Sequence, residues 1–287
     1  MVKSHKKQHT IPNSYLAAWL EPITPAEQTP AIFRISKVTK EVHCRSPAKS
    51  FTETDRYTVH LQDGTRDLTV EHTLGSIEND FQGVLDTIRH KRPLTPLQRA
   101  KICTFTAAMM GRTKKQGDWL LKQRLEHLEV VKELERTHNI DPIESQALED
   151  VLKNHHAELV VNSIETIAPA LFRMNLTICT TDDPLGFITS DAPAVMDNPR
   201  IHLLPGFYQS PGLAQEHVEI TLPLTPWHLA LFTHKRGDTL YFPLENSWVD
   251  EANRATYFYC EDEFISRTGE MKDVWFEEQE KPPGILG

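Results

Sequence analysis

The sequence predicts an α+β fold, with a central, mainly antiparallel sheet and a mid-chain bundle of long helices packed on it. Three observations carry that prediction. Apolar residues recur at helical spacing from about residue 74 to residue 173. The last third switches to short β-branched and aromatic runs separated by Gly, Pro, Asp and Asn. Two extended pairs with turn signals precede the helices.

Each element follows from local chemistry. After a basic start, Pro12 sits in the first turn of a short helix that presents Leu16, Trp19 and Leu20 on one face. A proline-rich stretch, residues 21–30, ends it. Residues 31–36 alternate, residues 37–40 turn and residues 42–44 return as a hairpin. Extended runs around Tyr57, Val59 and Leu61, and around Leu68 and Val70, flank the turn signal Asp63-Gly64. Leu74, Ile77, Phe81, Val84, Leu85 and Ile88 share one helical stripe. Thr95, Pro96 and Gln98 supply a cap, a first-turn proline and a third-position Gln, so a helix starts there and runs to Gly111, then continues or breaks near Gly117. Leu121, Leu125, Leu128 and Val131 carry a further stripe. Asp141 and Pro142 open a helix that reaches about Ala168, where Pro169 ends or kinks it. Residues 176–180, 186–190, 218–222, 228–232 and 257–260 read as strands.

Composition bounds the function. The 287 residues read as one α+β domain over 1–287, with 1–30 an N-terminal arm and 261–287 an acidic C-terminal segment holding eight acidic residues against three basic ones. A formal charge of -9 opposes a whole-protein grip on nucleic acid while leaving room for a local basic groove. Cys44, Cys103, Cys179 and Cys260 are far apart and read as reduced, buried thiols. No apolar run approaches the roughly 18 residues of a membrane span, and the start lacks the apolar core of a signal peptide. The expected compartment is the cytoplasm, with no membrane partner.

The Walker A, Rossmann, His-Glu-x-x-His and Gly-x-Ser-x-Gly signatures are missing. Chemistry therefore rests on four segments. In the first, Gln8, His9 and Asn13 precede or open a helix, where a histidine serves as general base or metal ligand; the plainer reading is capping and orientation of that helix. In the second, Glu71 and Glu78 lie two turns apart beside an apolar stripe, placed for a divalent cation or for acid–base work, against a plainer reading as solvated glutamates, with Glu71 favoured by the helix dipole. The third is residues 187–193, where an apolar strand delivers Ser190 and Asp191 to a turn fixed by Pro193; an Asx-type turn is the competing reading. The fourth is the basic cluster Arg112, Thr113, Lys114 and Lys115. There Arg112, beside Met109 and Met110, is suited to bidentate recognition of phosphate or carboxylate, or else belongs to a charged helix surface.

Taken in order, these segments resemble a family of bacteria and phages, Domain of Unknown Function 4238. Its opening Gln-His-x-x-Pro-x-x-Tyr-Leu signature is matched by Gln8, His9, Pro12, Tyr15 and Leu16, its spaced glutamates by Glu71 and Glu78, and its Arg-Thr pair by Arg112 and Thr113. Its Phe-Ile-Thr-Ser-Asp-x-Pro turn is matched by residues 187–193, its Pro-Leu-(Ser/Thr)-Pro strand by residues 223–226 and its late Asn by Asn253. The chain departs at Ala192, where members often carry Asn, which removes a side chain from any binding role. The resemblance supplies a family and a shared set of polar residues, and no activity.

Two functions follow as expectations. The first is a metal-dependent nuclease or phosphodiesterase, an effector in conflict between bacteria and phages. In it His9, Glu71, Glu78 and Asp191 are catalytic, Glu78 and Asp191 hold Mg²⁺ or Mn²⁺, and Gln8, Asn13, Arg112, Ser190 and Asn253 bind a nucleic acid or nucleotide. The second is a non-catalytic binding or regulatory module in which the same residues form a hydrogen-bond network fixing the arm to the sheet. Carboxylates and His9 around one open site favour the first; mutual pairing away from solvent favours the second.

Overall fold

The computed structural model describes residues 7–21, 30–61, 63–206, 209–235, 237 and 239–277. Most of the proline-rich stretch and the end of the acidic C-terminal segment lie outside the described residues. The chain opens with a strand, β1 (Lys7–His9), then a single helical turn, α1 (Asn13–Leu16), extended by a 3-10 turn at Ala17–Trp19. The hairpin expected next is present as β2 (Ile32–Ser36) and β3 (Val42–Arg45). A short β4 (Thr52–Thr54) pairs with β1, a partnership that the basic start gave no sign of. β5 (Val59–His60) and β6 (Arg66–Asp67) flank Gly64, whose φ of +78° suits glycine in a tight turn. Leu68 and Val70, expected as strand, instead open the next helix: the apolar stripe extends one turn earlier than the alternation suggested.

That helix, α2 (Thr69–Arg89), buries Leu74, Phe81, Val84, Leu85 and Ile88. α3 (Pro96–Gly111) starts on a reciprocal cap, with the Thr95 hydroxyl accepting from the Gln98 amide and the Gln98 side chain accepting from the Thr95 amide. Caps of this kind contribute about 1 kcal/mol. The break expected near Gly117 falls earlier, because Thr113 is extended, and α4 (Lys114–His138) follows it. The single helix expected from Asp141 is two, α5 (Ile143–Lys153) and α6 (His155–Arg173), split at Asn154. There the Asn154 side chain turns away to accept from the His60 amide at 2.8 Å. Pro169 stays inside α6. Gly111 lets α3 approach α6, since a Cβ there would sit 2.7 Å from the Ser163 Cβ.

The remaining elements are β7 (Asn175–Thr180), β8 (Thr189–Ser190), β9 (Val195–Asp197), β10 (Glu219–Thr225), β11 (His228–Thr233), β12 (Tyr241–Pro243), α7 (Asn246–Tyr259) and β13 (Glu263–Ser266). The expected single central sheet is divided. One sheet of five strands runs β12-β7-β11-β10-β9, antiparallel except for β12 on β7, and one of four runs β3-β2-β13-β8, antiparallel throughout. Residues 257–260, expected as a strand, end α7. Val249, Ala252, Asn253 and Thr256 are buried at helical spacing before them, and that stripe overrides the β preference of three aromatics.

One apolar core joins these layers. Tyr15 and Leu16 from α1, Phe81 and Val84 from α2, Phe105 and Met109 from α3, and Ile178, Ile220 and Phe232 from the five-stranded sheet belong to it. Phe81 and Phe105 stack face to face with centroids 3.8 Å apart. Cys103, Cys179 and Cys260 are buried as expected, with burial pushing each thiol up to about 12; Cys44 is exposed because β3 forms an edge. No helix among the described residues is long and apolar enough to cross a membrane.

His228 sits at the bulge between β10 and β11, only 8 % exposed, with Nδ1 2.8 Å from the Thr225 hydroxyl. Burial, then Lys91 and Arg89, lower its pKa to about 4. An unfolded chain therefore binds this proton more readily than the folded one. Its contribution to stability is complete above about pH 6.5 and is lost between there and about pH 4, at roughly 1.4 kcal/mol per pH unit. Urea titrations of wild type and His228→Gln at pH 7 and pH 5 check this: the wild type should lose more stability on acidification than the variant.

Candidate functional site

β1 is held to β4 by three residue pairs, with His9 opposite Thr52. Between them Gln8 turns inward, fully buried. Its Oε1 accepts from the Tyr57 amide at 2.5 Å and its Nε2 donates to the Thr58 hydroxyl at 3.1 Å. After β4 the chain reverses at Asp55, whose φ is +56°. That left-handed residue, a conformation aspartate tolerates, precedes Arg56 and Tyr57, both of which are buried.

Arg112, at the end of α3 and 2 % exposed, meets this segment from the helical side. Its Nη2 donates to Glu78 of α2 at 2.7 Å. Arg56 donates through Nη1 to Glu53 at 2.6 Å and through Nη2 to the Arg112 and Thr113 carbonyls. The Tyr57 ring lies beside both guanidinium groups, 5.6 Å from that of Arg112 and 5.9 Å from that of Arg56. His9 is half-buried within reach of the Glu78 and Arg112 charges. Burial lowers its pKa, with Glu78 and the Ala48 carbonyl opposing, so its imidazole is neutral at pH 7.

This junction also concentrates unsatisfied polar atoms. His9 Nε2, Arg56 Nε, Arg112 Nε and His156 Nδ1 are buried without a hydrogen-bond partner, and the buried Tyr57 hydroxyl has only the Arg56 guanidinium beside it. His156 of α6 adjoins Arg56, and its pKa falls to about 3, mainly by burial and then by the Arg56 charge. Buried donors and acceptors are nearly always satisfied in folded proteins, so these groups hold hydrogen-bonding capacity that ordered water or a polar ligand can take up.

The other expected site residues form a second network. Both Asp191 oxygens are engaged: Oδ1 accepts from the Glu261 amide at 2.8 Å, and Oδ2 from the Asp262 and Glu263 amides at 2.6 and 2.9 Å. Burial raises the Asp191 pKa and these three amides oppose the rise. Its turn partners are thus about 70 residues away rather than local. The Ser190 hydroxyl accepts from the Ala192 amide, and Asn253 bridges the Gly186 carbonyl and the Ile188 amide from α7. Gly186, at φ +66°, packs so tightly that a Cβ would lie 2.2 Å from the Pro226 carbonyl oxygen. The arm is pinned to the same region. The Tyr15 hydroxyl donates to the Pro223 carbonyl and so accepts from Thr189, and Trp19 donates to the Phe187 carbonyl.

A family model for proteins of unknown function, DUF4238, matches residues 7–270, from β1 past β13. The chain belongs to the DUF4238 family. No curated protein and no solved structure matches it.

In this DUF4238 chain the expected residues fall into two sets of contacts, linked through Glu261, whose side chain accepts from the Lys115 amide and whose own amide Asp191 holds. His9, Glu78 and Arg112 come together, with Gln8 fixing the strand that carries His9. Ser190, Asp191 and Asn253 lock backbone around β8. Asn13 is exposed at the first position of α1. Glu71 stands in the first turn of α2, roughly 10 Å of helix rise before Glu78. Glu78 and Asp191, expected to share Mg²⁺ or Mn²⁺, are instead engaged by a guanidinium and by three amides respectively. No group of three His, Cys, Asp or Glu side chains with metal-holding placement is found among the described residues. Arg56 and His156 carry no site signal in the sequence, and Tyr57 reads there only as part of an extended run.

Proposed function

We propose that this DUF4238 protein is a phosphodiesterase or nuclease working at the junction of β1, α2 and α3, without a cation shared between Glu78 and Asp191. The observation that carries the reading is the neutral, half-buried His9, its Nε2 unpartnered, set against Glu78 and the buried Arg112. A neutral imidazole accepts the proton of an attacking hydroxyl or water as its oxygen bonds to phosphorus. The bond to the leaving alkoxide breaks, and the imidazolium returns that proton to it. Arg112 binds the phosphoryl oxygens and offsets their developing charge, and Glu78 fixes the guanidinium.

The test is hydrolysis of bis(p-nitrophenyl) phosphate and single-stranded RNA by the full chain, with EDTA and with Mn²⁺. Equal activity in both is the expected result; activity only with Mn²⁺ returns the reaction to metal catalysis, and none in either removes the reading. Because His9 titrates below its usual 6.5, kcat/KM should rise with pH through a pKa under 6.5 and then level. A profile still climbing between pH 7 and 8 assigns the base elsewhere.

A second reading, the non-catalytic module, draws on Gln8, Ser190, Asp191 and Asn253, which are all paired with backbone groups, Gln8 also with the Thr58 hydroxyl, and on the pairing of Glu78 with Arg112. Under it, substitutions at His9 change stability and leave no activity to lose.

A further inference from the structure

Two buried arginines side by side need an explanation that two glutamates only half provide. Arg56 and Arg112 each have one glutamate partner, Glu53 and Glu78, and each keeps a buried Nε with nothing to donate to. The Tyr57 ring lies beside both, and its buried hydroxyl has only the Arg56 guanidinium next to it; burial raises its pKa and the Arg112 and Arg56 groups oppose, so it stays protonated at neutral pH. The Arg112 Nε–H and the Tyr57 O–H thus stand in one neighbourhood without an acceptor, beside an Arg56 guanidinium that faces the tyrosine oxygen.

The glutamates are at the rim while the arginines are deep. The Glu53 side chain is 41 % exposed and that of Glu78 22 %, against 2 % for each arginine. A carboxylate at such a position can swing into water when another anion takes its place, whereas the guanidinium groups have no such freedom. With both glutamates in place the four charges cancel. Once Glu53 leaves, one positive charge remains, which matches a singly charged phosphodiester better than a doubly charged phosphomonoester.

We infer that Arg56, Arg112 and Tyr57 form a buried cradle for the phosphoryl oxygens of a phosphodiester, which Glu53 guards as a displaceable substitute for the ligand. The inference rests on the phosphodiesterase reading and deepens it, since it assigns substrate binding to Arg56 and Tyr57 and makes the substrate a diester.

Calorimetry on the full chain tests it, with inorganic phosphate and a phosphorothioate dinucleotide as probes. The dinucleotide should bind at least as tightly as phosphate. Tyr57→Phe should weaken both roughly tenfold, and Arg56→Lys roughly 10- to 100-fold, as expected for losing a neutral and a charge-assisted bond. Glu53→Gln should strengthen both. Tyr57→Phe removes a hydroxyl whose one neighbour is the Arg56 guanidinium, so it should fold with a melting temperature within about 5 °C of wild type, which keeps the test readable if Arg56→Lys does not fold. Unchanged affinity in folded Tyr57→Phe, or weaker binding in Glu53→Gln, overturns the cradle, and tighter binding of phosphate than of the dinucleotide overturns the diester assignment. Wild-type hydrolysis without either probe binding removes the cradle and keeps the proposed function. Binding with the expected variant pattern but no hydrolysis keeps the cradle and removes the function.

Discussion

His9→Ala should lower kcat/KM on a phosphodiester by roughly 10²- to 10⁴-fold, the range supplied by a positioned general base, while the protein stays folded. The imidazole is half-buried at the end of a three-residue strand, and Gln8, not His9, makes the buried bonds that fix that strand. Truncating His9 should therefore cost no more than about 1 kcal/mol of stability, as for a partly buried side chain. Steady-state rates and urea unfolding on the same preparation separate the two effects. Wild-type activity in the variant sinks the role assigned to His9. A loss of activity that only tracks unfolding moves the residue to the structural network.

Asp191→Ala should do the reverse and act on folding, lowering stability by roughly 3 kcal/mol or more, because bonds to a charged acceptor contribute about 1.5–3 kcal/mol each. The three amides it serves belong to consecutive residues, Glu261, Asp262 and Glu263, where the chain leaves α7 and enters β13. Without the carboxylate, β13 loses the anchor that sets its register between β2 and β8. Asp191→Asn keeps the shape and one acceptor oxygen, so it should fall between wild type and Ala. If chemical denaturation finds Asp191→Ala within about 0.5 kcal/mol of wild type, the anchoring role is wrong and a catalytic role for Asp191 reopens.

The contrast between these residues shows what the sequence could disclose. The capping box at Thr95 and the stripe from Leu74 to Ile88 are local patterns, and each lies where its chemistry put it. The hairpin of β2 and β3 was equally legible. Pairing over long separations was not. Nothing near Lys7 announces a strand partner at Thr54, and nothing near Asp191 announces amides 70 residues later. The strand expected at residues 257–260 failed because a short aromatic run satisfies two periods, and the buried helical stripe before it decides between them. In the site, His9 is legible as a histidine just before a helix, Glu78 as a carboxylate beside an apolar stripe, and Arg112 as a cation beside Met109 and Met110. Arg56 and Tyr57 follow a left-handed turn, and only the fold shows that they point inward.

The three-pair ladder between β1 and β4 makes the site an equilibrium quantity as well as a geometry. His9 reaches Glu78 and Arg112 only in the fraction of molecules whose arm is docked, and ladders this short draw most of their stability from what packs on them. Tyr15, Trp19 and Gln8 supply that hold through the bonds they make to the sheet and to residues 57 and 58. Substitutions there should scale observed activity by the docked fraction and leave the pH profile of the surviving activity unmoved. Amide hydrogen exchange at residues 7–9 would read that fraction directly.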